Sequence, residues 1–134
     1  MILVLSTYPD RESAEKAAEE IVRKELAACA SVLRIECSYY RWKGKLEKKA
    51  EHLLIIKTME KAYGQLETYI RDNHPHHMPE IIYLDVKGGQ KDYLTWVESN
   101  SRLLSVPLDF KLTRRAGVPS SESTSARKPS TESR

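Results

Sequence analysis

Three histidines, a methionine and a glutamate lie within one short segment, which runs from His74 to Glu80. Imidazole, thioether and carboxylate groups are ligands that proteins use for Cu(II), Cu(I) and Zn(II). His74, His76 and His77 are therefore candidate metal ligands, with copper or another divalent cation as the ion. Because His76 and His77 are adjacent, their rings do not easily point at one ion. The alternative is a polar loop whose prolines end a helix and begin a strand.

Two cysteines offer thiol chemistry. Cys29 begins a predicted strand, where it is either a nucleophile or a small buried apolar residue. Cys29 and Cys37 are eight residues apart. In an extended strand this spacing separates them by roughly 26 Å, so we expect no disulfide between them. Free thiols are typical of a reducing compartment, and we expect a cytoplasmic protein.

A long hairpin dominates the predicted strands. Lys43-Gly44 supplies the tight turn, and strand-favouring residues precede and follow it from about residue 30 to residue 58. Each arm spans roughly 40 Å at about 3.3 Å per residue, whereas a domain of ~100 residues has a radius of gyration of about 13 Å. The hairpin should overhang its own core and expose Tyr39, Tyr40 and Trp42. We infer that a partner chain covers these rings.

The remaining elements are shorter. Apolar runs at 2–7 and 81–86 predict two further strands. Helical spacing predicts a first helix capped by Asp10, with an apolar stripe that ends at Leu26, and a second helix that ends at Asn73. A short closing helix follows the turn at Gly88-Gly89. The order β-α-β-β-α-β indicates an α+β protein with the ferredoxin-like split βαβ arrangement, in which the helices cover one face of an antiparallel sheet.

Composition divides the chain into three parts. Residues 1–101 suffice for one domain with a sizeable core. Residues 102–115 contain an alternating apolar series, which predicts an extra edge strand or docking segment, since Pro107 lacks a backbone donor. Residues 116–134 form a Ser-rich tail that we expect to be disordered.

Charge and hydropathy exclude several classes of function. Residues 1–101 contain fifteen Lys and Arg against sixteen Asp and Glu, so the net charge gives no indication of a basic face for nucleic acid. The predicted central strands lack the stacking aromatic residues of an RNA-recognition module. No apolar run approaches the ~20 residues of a membrane span, and no Gly-rich phosphate loop or other sign of an organic cofactor is present.

Several motifs follow one another in order along the first hundred residues. They are LAAC at Leu26–Cys29, SYYRWKGKLE at Ser38–Glu47, Glu51, Lys57-Thr58, His74-Pro75, Pro79-Glu80 and DYLTW at Asp92–Trp96. Together they resemble the CutA family of divalent-cation tolerance proteins, and the resemblance covers residues 1 to about 100 in register. It implies a homotrimer with the architecture of PII signalling proteins, in which the long hairpins of neighbouring subunits pair. It also implies a role in tolerance of copper and other divalent cations, without an established reaction.

The positions that the family associates with copper are only partly present. Some members carry Cys where this chain has Ser6, and two successive His where it has Asn73-His74. His74 alone matches, and His76 replaces the Tyr that usually follows His-Pro. A copper site in this chain would therefore have to use the local cluster of histidines.

The resemblance also implies a ligand site in clefts between subunits. The candidate ligand-binding residues are Cys29, Tyr40, Trp42, Glu51, Lys57, His74 and Trp96. Glu51 and Lys57 have even spacing and would share one strand face, where they either hold a polar ligand or form an intersubunit ion pair. The alternative function is an enzyme of unknown reaction that uses Cys29 or Lys57 at such a site.

Overall fold

The computed structural model describes residues 1–101, so the predicted edge strand at 102–115 and the predicted tail at 116–134 lie outside the described residues. Four strands and three helices are present in this part of the chain, together with one short 3-10 turn. In order they are β1 (Ile2–Tyr8), α1 (Arg11–Arg23), β2 (Cys29–Trp42), β3 (Lys45–Thr58), the 3-10 turn (Glu60–Ala62), α2 (Tyr63–Asn73), β4 (Ile82–Asp85) and α3 (Lys91–Ser99).

Helix α1 shows how the local sequence sets its bounds. The side chain of Asp10 accepts a hydrogen bond of 2.7 Å from the backbone N–H of Ser13, which confirms the predicted N-cap. The prediction that the helical stripe continues to Leu26 is wrong, because α1 ends at Arg23 and Glu25 adopts a left-handed φ of 60°. Leu26 follows this turn and is buried in the core outside the helix.

The long hairpin is confirmed. Strands β2 and β3 have fourteen residues each, and the turn between them places both Lys43 and Gly44 at positive φ. Strand β1 pairs with β3 only as far as the partners Tyr8 and His52. The outer half of the hairpin therefore extends beyond the neighbouring strand of the same chain.

The sheet is antiparallel, with the strand order β2-β3-β1-β4. One face is covered by α1 and α2, which bury alternate residues of the central strands. The core on this side contains Ile2, Val4, Tyr8, Leu54 and Ile56 of the sheet with Ala14, Ala17, Ala18, Ile21, Leu66 and Ile70 of the helices. The predicted α+β architecture is thus confirmed, although β4 is two residues shorter than the sequence predicts.

The opposite face of the sheet is apolar and remains accessible. Strand register places eight aliphatic side chains on it: Leu3, Leu5, Leu33, Ile35, Leu53, Ile55, Ile82 and Leu84. Ile82 and Leu84 are 50% and 53% exposed, and Leu33 is 44% exposed. We call this surface the open face. No helix within residues 1–101 is long and apolar enough to cross a membrane.

Candidate functional site

Lys57 lies at one end of the open face, where it contacts α3. Its Nζ donates a hydrogen bond of 3.1 Å to the hydroxyl of Tyr93 and lies 5.5 Å from the centre of the Tyr93 ring. This hydrogen bond is the main reason why the pKa of Lys57 is raised above its ordinary value. The side chain is therefore a cation at neutral pH.

Helix α3 presents two aromatic rings beside this cation. Tyr93 and Trp96 are three residues apart, so they share one face of the helix, and their ring centroids are 5.7 Å apart. Both remain accessible, at 39% and 45% exposure. The side chain of Gln90 caps the helix by accepting a hydrogen bond of 2.8 Å from the N–H of Tyr93. Tyr93 was absent from the predicted site, although its spacing from Trp96 could have indicated it.

Cys29 is the cross-strand partner of Lys57, and it lies on the same face of the sheet. Its Sγ is 3.9 Å from Oγ of Ser31, and the side chain is half-buried as a free thiol. The structure thus brings Cys29 and Lys57 together and links Lys57 to Trp96 through Tyr93. We call these four residues the lysine end of the sheet.

Three other predicted ligand-binding residues lie far from the lysine end. Glu51 is six residues from Lys57 along β3, which corresponds to about 20 Å, so the two side chains cannot contact each other within one chain. Tyr40 and Trp42 lie farther out on the hairpin. The indole N–H of Trp42 is buried, yet it has no hydrogen-bond partner within residues 1–101. We call Tyr40, Trp42 and Glu51 the hairpin end.

His74 is held firmly inside the protein. The backbone N–H of His76 donates a hydrogen bond of 2.9 Å to Nδ1 of His74. The ring proton of His74 is therefore on Nε2, which donates a hydrogen bond of 2.8 Å to the carbonyl of Thr7. The ring is 1% exposed and lies 4.2 Å from the ring of Tyr8, centroid to centroid. Both ring nitrogens are thus engaged in hydrogen bonds, and the one to Thr7 joins the loop after α2 to β1.

The three predicted metal ligands differ in their environments. His76 is buried at 3% exposure, with its ring centroid 5.2 Å from that of His74, whereas His77 is exposed. Within residues 1–101, no group of three or more His, Cys, Asp or Glu side chains is placed to hold a metal ion. Because the lone pair of His74 Nδ1 already accepts a hydrogen bond, a metal bound by this nitrogen would have to displace that bond.

Comparison with known proteins identifies relatives across the whole described domain. Residues 2–100 match the family model described as CutA1 divalent ion tolerance protein. The chain is 40% identical over 99 residues to the divalent-cation tolerance protein CutA of Yersinia pestis, an alignment that covers 74% of this chain and 83% of the relative.

Solved structures agree with this match. CutA from Pyrococcus horikoshii is 37% identical, with a TM-score of 0.73 and coverage of 76% of this chain and 100% of that one. CutA1 from Oryza sativa is 38% identical, with a TM-score of 0.74 and coverage of 76% and 94%. The PII-like protein CutA from Nostoc is 27% identical, with a TM-score of 0.73 and coverage of 77% and 99%.

Proposed function

Because the chain belongs to the CutA1 family of divalent ion tolerance proteins, we propose that it is a cytoplasmic homotrimer that acts in the cellular response to divalent metal ions, copper among them. Its ligand site lies in clefts between the subunits. The observation that carries this proposal is the division of the predicted site residues between two separate ends of one subunit.

The open face and the hairpin support an assembly of several chains. Eight aliphatic side chains lie on the open face, and burying one such side chain fully contributes about 1.5–3 kcal/mol. The buried indole N–H of Trp42 needs an acceptor that residues 1–101 of its own chain do not supply. A neighbouring subunit that covers the open face and contacts the overhanging hairpin satisfies both requirements.

The assembly also completes the site. Lys57, Tyr93 and Trp96 form a cationic and aromatic half-site, and the hairpin end offers Tyr40, Trp42 and the carboxylate of Glu51. The two ends are too far apart to act on one small ligand in a single chain. In a closed ring of three subunits, the lysine end of one chain faces the hairpin end of its neighbour at three equivalent clefts.

The chemistry of the lysine end favours a ligand with an anionic or carbonyl group beside an apolar body. The ammonium of Lys57 attracts such a group, and the rings of Tyr93 and Trp96 offer an accessible surface for packing. A cationic side chain repels a bare metal ion. A divalent cation therefore enters the cleft as a complex with an anionic small molecule, or it binds at groups contributed by two chains.

Growth in the presence of metal tests this function. Cells that lack their own member of the family would express the parent, Lys57→Met or Lys61→Met, and would be grown in a series of Cu(II), Zn(II) and Mn(II) concentrations. Lys61 is an exposed lysine in the 3-10 turn and serves as the matched control. We expect the parent and Lys61→Met to restore tolerance to copper and Lys57→Met to fail at equal expression. Unchanged tolerance in cells that express the parent would contradict the proposal.

The proximity of Cys29 and Lys57 keeps the enzymatic alternative open. Lys57 is a poor nucleophile here, because its hydrogen bond to Tyr93 raises its pKa, whereas nucleophilic lysines have lowered values. The alternative therefore depends on Cys29. Its rate of alkylation as a function of pH tests this role, since a catalytic thiol titrates well below the ordinary value of about 8.5.

A further inference from the structure

A groove lies between α1 and β2, on the side of the sheet away from the open face. Its volume is about 510 Å³, and its floor is apolar, with Ala18 and Val22 from the helix and Ala30 and Val32 from the strand. Val22 is 39% exposed. Glu15, Glu19 and Arg23 form the rim. Within the described chain, an apolar strip beside the helical core is thus accessible to solvent.

The groove runs beside the edge of the sheet. Strand β2 is the outermost strand on this side, and β3 is its neighbour in the sheet of residues 1–101. Every second backbone N–H and C=O of β2 therefore points away from β3. An edge of this kind is a template on which a further strand can pair.

We propose that residues 103–112 of the same chain pair with the free edge of β2 and cover the groove. The segment has the pattern that this site requires. Its apolar residues alternate without interruption, so in an extended conformation they all point to one side: Leu104, Val106, Leu108, Phe110 and Leu112. The segment lies beyond residues 2–100, which match the family model. The proposed strand pairing is therefore a feature of the C-terminal extension and not of the family domain.

Helix α3, which precedes the segment, contacts the end of the sheet at which β2 begins. Helix α3 ends at Ser99, and its Tyr93 contacts Lys57, the cross-strand partner of Cys29 at the first position of β2. Ten residues in an extended conformation span about 33 Å. The groove residues of β2, Ala30 and Val32, follow Cys29 within about 10 Å along the strand. An extended segment that begins near this end of the sheet is therefore long enough to run along β2 past Ala30 and Val32 of its own subunit.

Charge favours the same arrangement. The rim of the groove carries two carboxylates, Glu15 and Glu19, and one cation, Arg23, so its net charge is −1. Residues 103–115 carry three basic side chains, Lys111, Arg114 and Arg115, against one acidic residue, Asp109. The groove and the open face are on opposite sides of the sheet, so a segment in the groove leaves the open face uncovered.

Hydrogen–deuterium exchange on the full chain tests this inference through the backbone amides of β2 from Ala30 to Arg34. We expect Leu108→Asp, which places a charge in the apolar series, to accelerate exchange of the outward-pointing amides by about tenfold, because the added strand no longer protects them. Ser105→Asp, on the other side of the segment, is the matched control and should leave these rates unchanged. The amides of α2 report whether the domain itself remains folded.

A second pair of substitutions tests the groove. Val22→Asp should accelerate hydrogen–deuterium exchange at the same β2 amides as Leu108→Asp does. Lys16→Asp, on the exposed surface of α1, should leave these exchange rates unchanged. Unchanged rates in both Leu108→Asp and Val22→Asp would overturn the inference. An effect of Val22→Asp alone, or protection in the parent that disappears on dilution, would also overturn it, because the groove would then be covered by another occupant such as a second copy.

Discussion

The His74→Ala substitution should destabilise the fold, because the structure makes this ring part of the core. His74 joins the loop after α2 to β1 through the carbonyl of Thr7, and its Nδ1 accepts the N–H of His76. The ring is 1% exposed and packs against Tyr8. The substitution removes both hydrogen bonds and leaves a cavity beside Tyr8.

The expected loss follows from these contacts. Each hydrogen bond contributes about 0.5–1.5 kcal/mol net, and truncation of a buried aromatic ring to alanine removes about 3–5 kcal/mol in total. An imidazole is smaller than a phenyl ring, so we expect the free energy of unfolding to fall by about 3 kcal/mol. His74→Phe keeps a ring beside Tyr8 and loses both hydrogen bonds, and it should lower the free energy of unfolding by about 1–3 kcal/mol.

Urea denaturation at one fixed protein concentration measures these differences, with His77→Ala as the control. His77 belongs to the same loop but is exposed, and its substitution should change stability by no more than about 0.5 kcal/mol. Equal stabilities of His74→Ala and His77→Ala would refute the structural role of His74.

The same variants separate this structural role from the predicted metal site. Because both nitrogens of His74 are engaged, we expect the folded His74→Ala protein to bind Cu(II) in a competition titration as tightly as the parent does. A dedicated site at His74, His76 and His77 would instead lose most of its affinity. It would also release copper as pH falls through the imidazole range near ~6.5.

Three further substitutions test other parts of the structure. Trp42→Asp places a charge on the overhanging hairpin and should raise the dissociation constant of the assembly in sedimentation velocity, whereas Lys43→Asp at the exposed turn should not. Thr58→Val removes the buried hydrogen bond of 2.8 Å from Oγ1 to the carbonyl of Leu26 and should destabilise by about 1–2 kcal/mol in urea denaturation; stability equal to the parent would contradict this role. Burial raises the pKa of Tyr8, so above about pH 10 the unfolded chain releases a proton that the folded chain retains, and stability falls as pH rises. Tyr8→Phe should therefore lose less stability than the parent between about pH 9 and 11.5, and equal losses would show that this tyrosine does not contribute.

Most of the fold follows from local sequence signals. Lys43-Gly44 determines the hairpin turn, Asp10 caps α1, and Asn73 ends α2 immediately before His74. Each of these signals acts over a few residues, so periodicity and turn chemistry identify it. The end of α1 was placed incorrectly because Leu26 is apolar at nearly helical spacing, while the left-handed Glu25 interrupts the helix before it.

The site was less predictable because its contacts join distant segments. The partner of His74 is a carbonyl 67 residues away, at the end of β1, and nothing in the His-rich loop indicates that contact. Lys57 likewise donates its hydrogen bond to Tyr93, which is 36 residues farther along the chain. The family resemblance identifies chemically capable side chains such as Lys57. Only the tertiary structure shows that the His74 ring is engaged by hydrogen bonds, whereas the separation of Glu51 from Lys57 follows from their spacing of six residues along one strand.

Sedimentation equilibrium of the full chain tests the central claim most directly, because the proposed clefts exist only between subunits. We expect one species with three times the chain mass of 15.4 kDa, independent of concentration in the micromolar range. Leu5→Asp, in the middle of the open face, should shift the distribution towards the monomer. A parent protein that sediments as a stable 15.4 kDa monomer at micromolar concentration would contradict the intersubunit site and the function proposed for it.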